Sequence, residues 1–366
     1  MMSRRPALVG TASFVAGGVA ACRTRNDGDS LGGSAAPGST TTDVVTTDVE
    51  VGDAYFPPLA GIWEPITPSQ AGFTDEGVKA VLDLVGASNS QSFVLLRDGR
   101  IVAERYWMGA DDTTTRDIAS AQKPVTSTLL GLARDRGLLQ FDDSVSDYLG
   151  AGWSRASVAD EGVITLRHLM TMTSGLNPRT LRKDVAPDVK WDYNTDAYQK
   201  LRQVLEVAVE SDINTISDEW LFEQIGVGDG AAWNVRAGVV DAVGDEQWGL
   251  TLTAREIARF GLFAACNGQW MGTQIADPEW FAEAWTATPL MVDYGLIWWL
   301  IGKGRLANRG APPDLVAGLG AQDQKLYVSP STGIVVARQG NAAGESTQAG
   351  SDFDALLIEA IARALA

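Results

Sequence analysis

The spacing of apolar and polar residues predicts an early helix followed by a hairpin. Apolar residues recur at helical spacing in residues 74–88, and Thr74 is a suitable N-cap for that helix. Residues 92–107 contain two β-rich runs on either side of Asp98-Gly99, a pattern typical of two strands joined by a tight turn. A polar loop follows, and the next helix is predicted to begin around Ser120.

The same kind of pattern predicts a different order of elements in the rest of the chain. Residues 141–245 are interpreted as helices and long loops with little strand character. An early hairpin and three late strands can form one antiparallel sheet, with the helical block as an insertion. The later predicted helices are 253–268, 277–287 and 352–366, and the strand-like runs are 294–301, 324–330 and 332–340.

The first 54 residues follow neither pattern. Residues 1–21 carry two arginines and then a run of small apolar residues, which predicts a secretory signal peptide. Residues 22–54 are rich in Gly, Ser, Thr and Asp and predict a flexible tether before a folded domain at 55–366. Within this segment "GDSLG" fits a nucleophile-elbow pattern, but no strand precedes it and no helix follows it, so Ser30 is interpreted as a linker serine.

Residues 19–22, Val-Ala-Ala-Cys, resemble the lipobox of bacterial lipoproteins. This resemblance implies that Cys22 becomes the first mature residue and carries lipid, so that the protein is exported and anchored in the bacterial cell envelope. The alternative is an ordinary cleaved signal peptide in which the cysteine is incidental.

Composition narrows the possible functions. The 366 residues are 45% hydrophobic and carry a net charge of −17, which makes phosphate-backbone or anionic-membrane binding through a basic face unexpected. Two cysteines and one histidine cannot form an ordinary zinc site, so no metal or other cofactor is expected. The only membrane contact expected is the lipid on Cys22.

His168 is expected to be a hydrogen-bonded structural residue, and Cys266 a buried small apolar one.

Ser120 and Lys123 are the strongest candidates for chemistry. Residues three apart on a helix share a face, so both side chains can point into one cleft. Pro124 is tolerated only near the start of a helix, which places Ser120 at the first turn, where unpaired N–H groups favour a negative oxygen. A serine hydroxyl needs a base, and a desolvated lysine can lose its proton and serve as one.

Three segments then carry a family resemblance. They are the Ser-Ala-Gln-Lys tetrad at 120–123 with the helix after it, "ITLRHLMTMTSGL" at 164–176, and "WDYNTDAYQKL" at 191–201. In collinear order over residues 59–366, the chain resembles the serine β-lactamase and penicillin-binding superfamily, in its class C β-lactamase-like branch of esterases, amidases and D-amino-acid peptidases. The resemblance implies an α/β (α+β) fold of the β-lactamase/transpeptidase type.

That fold is an antiparallel sheet flanked by helices plus an all-helical subdomain. The α/β part is expected at about 55–125 and 246–366, the helical part at about 126–245, and the site between them. By resemblance, Ser120 is the acylated nucleophile, Lys123 its base or proton relay, and Tyr193 the phenol that shuttles protons to and from the leaving group. Whether Lys123 or Tyr193 is the acylation base stays open, and a core role is the alternative for Tyr193.

Other positions modify this picture. Thr195 stands where many relatives place an asparagine, and its hydroxyl can still donate a hydrogen bond to a substrate. Trp153, Trp191, Trp298 and Trp299 could line an apolar substrate groove. Most tryptophans are expected in the core, and Trp191 is singled out because it lies two residues from Tyr193. The family's Lys-Thr-Gly or His-x-Gly should fall near residues 319–324, and no cation stands there. Lys325 lies one step beyond, and Asp323 is expected to repel an anion.

We expect a strand N–H near Gln324 to join that of Ser120 as the oxyanion hole. The predicted function is a lipid-anchored serine hydrolase without a cofactor, acting through an acyl-enzyme on small carboxylic esters or amides. The alternatives are a D-Ala peptidase or β-lactamase acting on peptidoglycan-type substrates, and a non-catalytic envelope binding module of the same fold. The sequence predicts no oligomeric state.

Overall fold

The computed structural model describes residues 54–228, 230–348 and 350–366. The predicted signal peptide (1–21), the lipid-attachment residue Cys22, Ser30 and all but the last residue of the predicted tether (22–54) lie outside the described residues.

In the described residues, early strands are followed by a block of helices, and most of the remaining strands come later in the chain. The strands are β1 Ser90–Arg97, β2 Arg100–Tyr106, β3 Arg116–Asp117, β4 Ala232–Val240, β5 Glu246–Leu252, β6 Gln269–Trp270, β7 Thr273–Gln274, β8 Val316–Gly320, β9 Gln324–Ser329 and β10 Ile334–Gly340. The helices are α1 Asp75–Ala87, α2 Lys123–Asp135, α3 Val145–Leu149, α4 Val158–Glu161, α5 Leu166–Met170, α6 Thr195–Val209, α7 Ile213–Ser217, α8 Glu223–Ile225, α9 Ala254–Ala265, α10 Pro278–Ala284 and α11 Asp352–Ala364.

An antiparallel sheet with the strand order β2-β1-β10-β9-β8 forms the centre of the fold. Its hairpin turn consists of Asp98 and Gly99, whose φ angles of 48° and 83° are those of the turns that match the twist of paired strands. The predicted hairpin and two of the three predicted late strands, those at 324–330 and 332–340, lie in this antiparallel sheet.

Helices cover both faces of this sheet, because successive side chains of a strand point to opposite faces. In β1, Phe93 and Leu95 pack in the cluster formed with α1 and α11, whereas Val94 and Leu96 pack in the cluster that contains α2 and α9. All four side chains are fully buried. The predicted fold of an antiparallel sheet flanked by helices is confirmed.

The helices between α2 and β4 share one apolar core with the α2 face of the sheet. Leu166 of α5, Leu201 of α6 and Ile213 of α7 belong to the same buried cluster as Val94 of β1 and Val125 of α2. Because this core is continuous, the helical region fixes the position of α2 and of the turn that precedes it.

The prediction of little strand character in residues 141–245 is wrong at its end. β4 lies inside this range and pairs with β5, and a three-stranded sheet of order β3-β5-β4 results. The segment contains Val235, Val239 and Val240, all three largely exposed. Such a strand lacks the alternation of buried and exposed apolar residues by which a half-buried strand is recognised.

The prediction of a strand at residues 294–301 is also wrong. This run forms turns, with Ile297 at a φ of 53°, and only isolated bridges join Tyr294 to Trp299 and Trp299 to Ala317. A short apolar run indicates burial rather than a particular element. The third late strand is β8 instead, which the sequence analysis missed because two of its five residues are glycines.

None of the helices in the described part of the chain is both long and apolar enough to cross a bilayer.

Candidate active site

Ser120 lies in a short 3₁₀ turn, Ala119–Gln122, that leads directly into α2. Pro124 occupies the first turn of α2, where the missing N–H removes no helical hydrogen bond. Lys123 Nζ donates a hydrogen bond to Ser120 Oγ at 3.1 Å. The structure therefore brings the hydroxyl and the amine of the Ser-x-x-Lys pattern into contact.

The Lys123 side chain is enclosed, with only 2% of the residue exposed. Its Nζ lies over the rings of Tyr198 and Tyr193, at 4.1 and 5.0 Å from their centroids. Burial lowers the pKa of Lys123 well below its ordinary value, and the positive charge of nearby Arg236 lowers it further. The neutral amine, which is the form that accepts a proton, is therefore favoured.

Tyr193 lies two residues before α6, with its ring beside Lys123. The Tyr193 hydroxyl is buried and forms no hydrogen bond of good geometry with the described residues, although the Ser120 hydroxyl lies near it. Burial raises the pKa of Tyr193, and the nearby Ser120 hydroxyl lowers it in part. A buried phenol without such a bond is uncommon, and here it lies next to the two other candidate residues, where a substrate or a water can bond to it.

Four aromatic side chains, one of them Tyr193, pack against one another edge to face, tilted or stacked, with neighbouring ring centroids 4.9 to 6.3 Å apart. We call them the aromatic wall: Trp191, Tyr193, Tyr294 and Trp299. Trp191 and Trp299 are half-buried, so the wall has an accessible side. The sequence singled out Trp191 and offered Trp299 among several tryptophans that could line a groove, but it did not indicate Tyr294, which belongs to the run predicted as a strand.

The backbone before Ser120 is held in an unusual conformation. Ala119 has a φ of 50°, which is rare for a residue with a side chain, and its N–H donates to the Asp117 carboxylate at 2.7 Å. Arg236 binds the same carboxylate through two hydrogen bonds of 2.7 and 2.9 Å. Sequence reasoning missed this support because Arg236 lies on β4, the strand that was not predicted.

Strand β8 passes directly beside the turn that carries Ser120. A Cβ atom on Gly320 would lie 2.3 Å from the carbonyl oxygen of Ile118, and one on Gly318 would lie 3.0 Å from that of Ala121. Glycine at position 320 therefore permits a contact between strand and turn that a side chain would prevent, and the fit at Gly318 is also tight.

The outer edge of β8, away from β9, carries Trp299 of the aromatic wall. Ala317 exchanges two backbone hydrogen bonds with Trp299 across this edge, at 3.0 and 2.8 Å. Backbone N–H groups alternate between the two edges of a strand, and Gly320 is extended (φ −111°, ψ 152°), so the N–H of exposed Ala321 points to the same edge. Sequence reasoning missed Ala321.

The structure places Gln324 at the first position of β9, one strand further from the Ser120 turn. Its buried side chain donates to Gly340 O at 2.7 Å and accepts from Gly340 N–H at 3.2 Å, so it joins β9 to β10. The Gln324 backbone thus belongs to β9, whereas Ala321 directly follows β8 beside the Ser120 turn. The sequence pattern did not predict β8, so the expected N–H was placed on the next strand, β9.

Asp323 and Lys325 do not face the site. Both side chains are fully buried and pair with each other at 3.0 Å, and Lys325 also pairs with Asp354 of α11 at 2.7 Å. The expectation that Asp323 repels an anionic substrate is wrong, because its carboxylate points to α11 and is neutralised there. Lys325 is equally engaged and presents no charge to a substrate.

Thr195 is the first residue of α6 and is half-buried. The N-cap before it, Asn194, accepts from Ala197 N–H at 2.9 Å and donates to Leu176 O at 3.1 Å. The Asn194 amide thus has a structural role, while the Thr195 hydroxyl has no hydrogen-bond partner among the described residues.

The remaining residues that sequence analysis weighed take structural positions. Trp153 and Trp298 are buried in the core, and Cys266 is a buried thiol at the end of α9. His168 bonds within the capping box of α5 and pairs with Asp188 at 3.2 Å, as expected for a structural histidine. No group of three or more His, Cys, Asp or Glu residues in the described ranges is arranged to hold a metal ion.

Comparison with known proteins adds a family and a set of folds. The model of the beta-lactamase family matches residues 78–360. No curated protein matches the chain.

Several solved structures share its architecture. A Bacillus anthracis protein assigned as a 6-aminohexanoate-dimer hydrolase has a TM-score of 0.66 at 17% identity, over 85% of this chain and 89% of its own. EstCE1, a hydrolase with promiscuous acyltransferase activity, has a TM-score of 0.62 at 16% identity, over 78% and 98%. A penicillin-binding protein homolog from Caulobacter crescentus has a TM-score of 0.61 at 14% identity, over 80% and 99%. At these identities the likeness is one of fold.

Proposed function

The chain belongs to the beta-lactamase family, and we propose that it is a serine hydrolase acting through an acyl-enzyme on carboxylic esters or small amides. The observation that carries the proposal is the 3.1 Å contact between Lys123 Nζ and Ser120 Oγ, in an enclosed position where burial favours the neutral amine. A serine hydroxyl becomes an effective nucleophile when an adjacent base removes its proton.

In the proposed acylation step, the Ser120 proton passes to the Lys123 amine while Ser120 Oγ bonds to the substrate's carbonyl carbon. The carbonyl oxygen takes the negative charge, and the backbone N–H groups of Ser120 and Ala321 are the proposed donors to it. Both choices have a structural basis. The first N–H groups of a helical turn have no partner within it, and the Ala321 N–H points to the outer edge of β8.

The proposed role of Tyr193 is to pass the proton from Lys123 to the leaving alcohol or amine, so that the carbon–heteroatom bond breaks and Ser120 is left as an ester. Water then attacks this ester, and the same groups act in reverse to release the acid and restore the Ser120 hydroxyl. Because Lys123 and Tyr193 both lie beside Ser120, we assign the acylation base to the coupled pair.

The pairing of two nearby cations supports an uncharged substrate over a penicillin. The carboxylate of a penicillin needs a cation to bind it. Arg236 is engaged by Asp117, and Lys325 is enclosed and paired with Asp323. This is why esters or small amides are preferred here to the alternative activity of a D-Ala peptidase or β-lactamase. A penicillin label that persists on Ser120 would support that alternative.

Reaction with a fluorophosphonate probe and with p-nitrophenyl esters tests the proposal. We expect the wild-type protein to be labelled and to release nitrophenol, and Ser120→Ala to do neither. Equal labelling of Ser120→Ala would show that another residue reacts. Absence of turnover over a panel of short esters and amides would favour the non-catalytic binding module.

A further inference from the structure

Arg338 of β10 is fully buried, yet no carboxylate touches its guanidinium. Burial lowers the pKa of Arg338 to about 10. All of its N–H directions are used by neutral oxygens: the carbonyl oxygens of Gln322 (3.0 Å), Asp323 (2.9 Å), Ser88 (2.7 Å) and Asn341 (2.8 Å), and the hydroxyl of Ser90 (2.8 Å). A buried arginine bound in this way fixes backbone, because its planar fork holds several carbonyls at set angles.

Two of these carbonyls belong to residues 321–323, which we call the edge turn because it ends β8 beside Ser120. Gln322 and Asp323 have φ angles of 57° and 58°. Left-handed conformations of residues with side chains persist only where the surroundings hold them, and they are concentrated at functional sites. Two in succession indicate a turn whose shape is imposed by its contacts.

The Asp323 side chain also stabilises the conformation of the edge turn. Its carboxylate accepts from Ser351 Oγ at 2.6 Å and from Ala343 N–H at 2.9 Å, and it pairs with Lys325 at 3.0 Å. These contacts come from the α11 side of the sheet. The Ser120 turn packs on the other side, against Gly318 and Gly320. The edge turn is thus held from behind by groups that do not face the substrate.

We propose that Arg338 is a positioning residue that keeps the edge turn in its left-handed shape and so fixes the Ala321 N–H relative to Ser120. The inference rests on the proposed function, because it concerns the donor to the substrate's oxyanion. Without the guanidinium, the carbonyls of Gln322 and Asp323 lose their shared partner and the turn relaxes toward an ordinary conformation. A shift of about 1 Å in such a group lowers a rate on the order of 100-fold.

The experiment compares Arg338→Lys with Arg259→Lys as a matched control. Arg259 is also buried and also donates to two backbone carbonyls, those of Ile225 (3.0 Å) and Pro58 (2.7 Å). Each protein is assayed with an ester and with the thionoester of the same acyl and leaving groups. Sulfur is a weaker hydrogen-bond acceptor than oxygen, so the ratio of the two kcat values reports on the oxyanion donors.

We expect Arg338→Lys to lower kcat for the ester by about 10- to 100-fold, to leave KM within about threefold, and to reduce the ester-to-thionoester ratio. Arg259→Lys should keep the wild-type ratio. A lower kcat with an unchanged ratio would overturn the inference, since it would indicate general destabilisation. If Arg338→Lys does not fold, Asp323→Asn takes its place as the test variant. The same decrease in the ester-to-thionoester ratio is expected for it.

The outcome separates the two proposals. Wild-type protein that hydrolyses neither compound and takes no fluorophosphonate label contradicts the proposed function itself. Wild-type protein that turns over the ester, while Arg338→Lys and Asp323→Asn both keep its ester-to-thionoester ratio, contradicts only the role of Arg338.

Discussion

At the scale of single residues, the proposed hydrolysis depends above all on the ionisation state of Lys123. Its amine is buried without a carboxylate partner, so the folded protein binds a proton there less tightly than the unfolded chain does. The same feature that makes the amine a base also costs stability, because unfolding lets it take up a proton.

Replacing Lys123 by Met is therefore expected to raise stability while it removes activity. Between the lowered pKa of the folded state and the ordinary lysine pKa of about 10.4, the unfolded wild-type chain binds more protons, so wild-type stability rises with pH. The stability advantage of Lys123→Met should therefore shrink as the pH rises toward about 10. Denaturant unfolding at several pH values measures it, and Lys79→Met, at an exposed lysine, should show no such trend.

Replacing Tyr193 by Phe is expected to separate catalysis from folding. The Tyr193 hydroxyl forms no hydrogen bond of good geometry with the described residues, so its removal should leave the free energy of unfolding nearly unchanged. Turnover should fall by about 100-fold or more, the usual effect of losing a general acid or base. Tyr198→Phe is the control variant. It removes a hydroxyl that hydrogen-bonds the Thr126 hydroxyl at 2.7 Å, so the free energy of unfolding should fall by about 1 kcal/mol. Full turnover in Tyr193→Phe would exclude the proposed proton shuttle.

At the scale of secondary-structure elements, the site is formed where strands, turns and helices meet. The contact between β8 and the Ser120 turn is especially close. Gly320 leaves no space for a side chain against Ile118, so the distance between strand and turn is set by backbone contact. The geometry of the site therefore depends on the sheet edge as much as on α2.

Gly320→Ala should force this contact apart. We expect a strong loss of turnover, about 100-fold or more, together with lower thermal stability, because a Cβ at 2.3 Å from a backbone oxygen requires the strand or the turn to move. Gly344→Ala is the control, since nothing lies within 4 Å of a Cβ there. Wild-type turnover in Gly320→Ala would contradict the placement of β8 beside Ser120.

The elements that the sequence predicted are those with a local signal. α1, the β1–β2 hairpin and α11 carry regular apolar spacing, caps or a turn dipeptide, and Ser120 and Lys123 meet because they are three residues apart. Arg236 and Ala321 were not predicted, and Trp299 was expected only as one of several tryptophans that could line a groove. Each reaches the site through pairing or packing with a distant part of the chain, which local spacing does not encode.

At the scale of the whole molecule, the site lies on a fold that is shared by proteins with different activities. Family membership and structural likeness establish the architecture, while the substrate depends on side chains around one cleft. We propose in addition that the protein is held at a membrane by lipid on Cys22, with residues 22–54 as a tether.

Cys22→Ala tests this proposal at the level of the cell. The variant should move from the membrane fraction to the soluble fraction, because a covalent lipid supplies the only predicted attachment. Its ester hydrolysis per molecule should equal that of the wild type, since the site lies wholly in residues after the tether. Membrane retention of the variant would favour another mode of attachment.

The covalent state of Ser120 during turnover tests the central claim most directly. Rapid quenching of the reaction with a p-nitrophenyl ester, followed by peptide mass spectrometry, locates the acyl group. We predict one acyl group on Ser120 in the wild type and none in Lys123→Ala. An acyl group on another residue, or equal acylation of Ser120 without the Lys123 amine, would contradict activation of this serine by its neighbouring lysine.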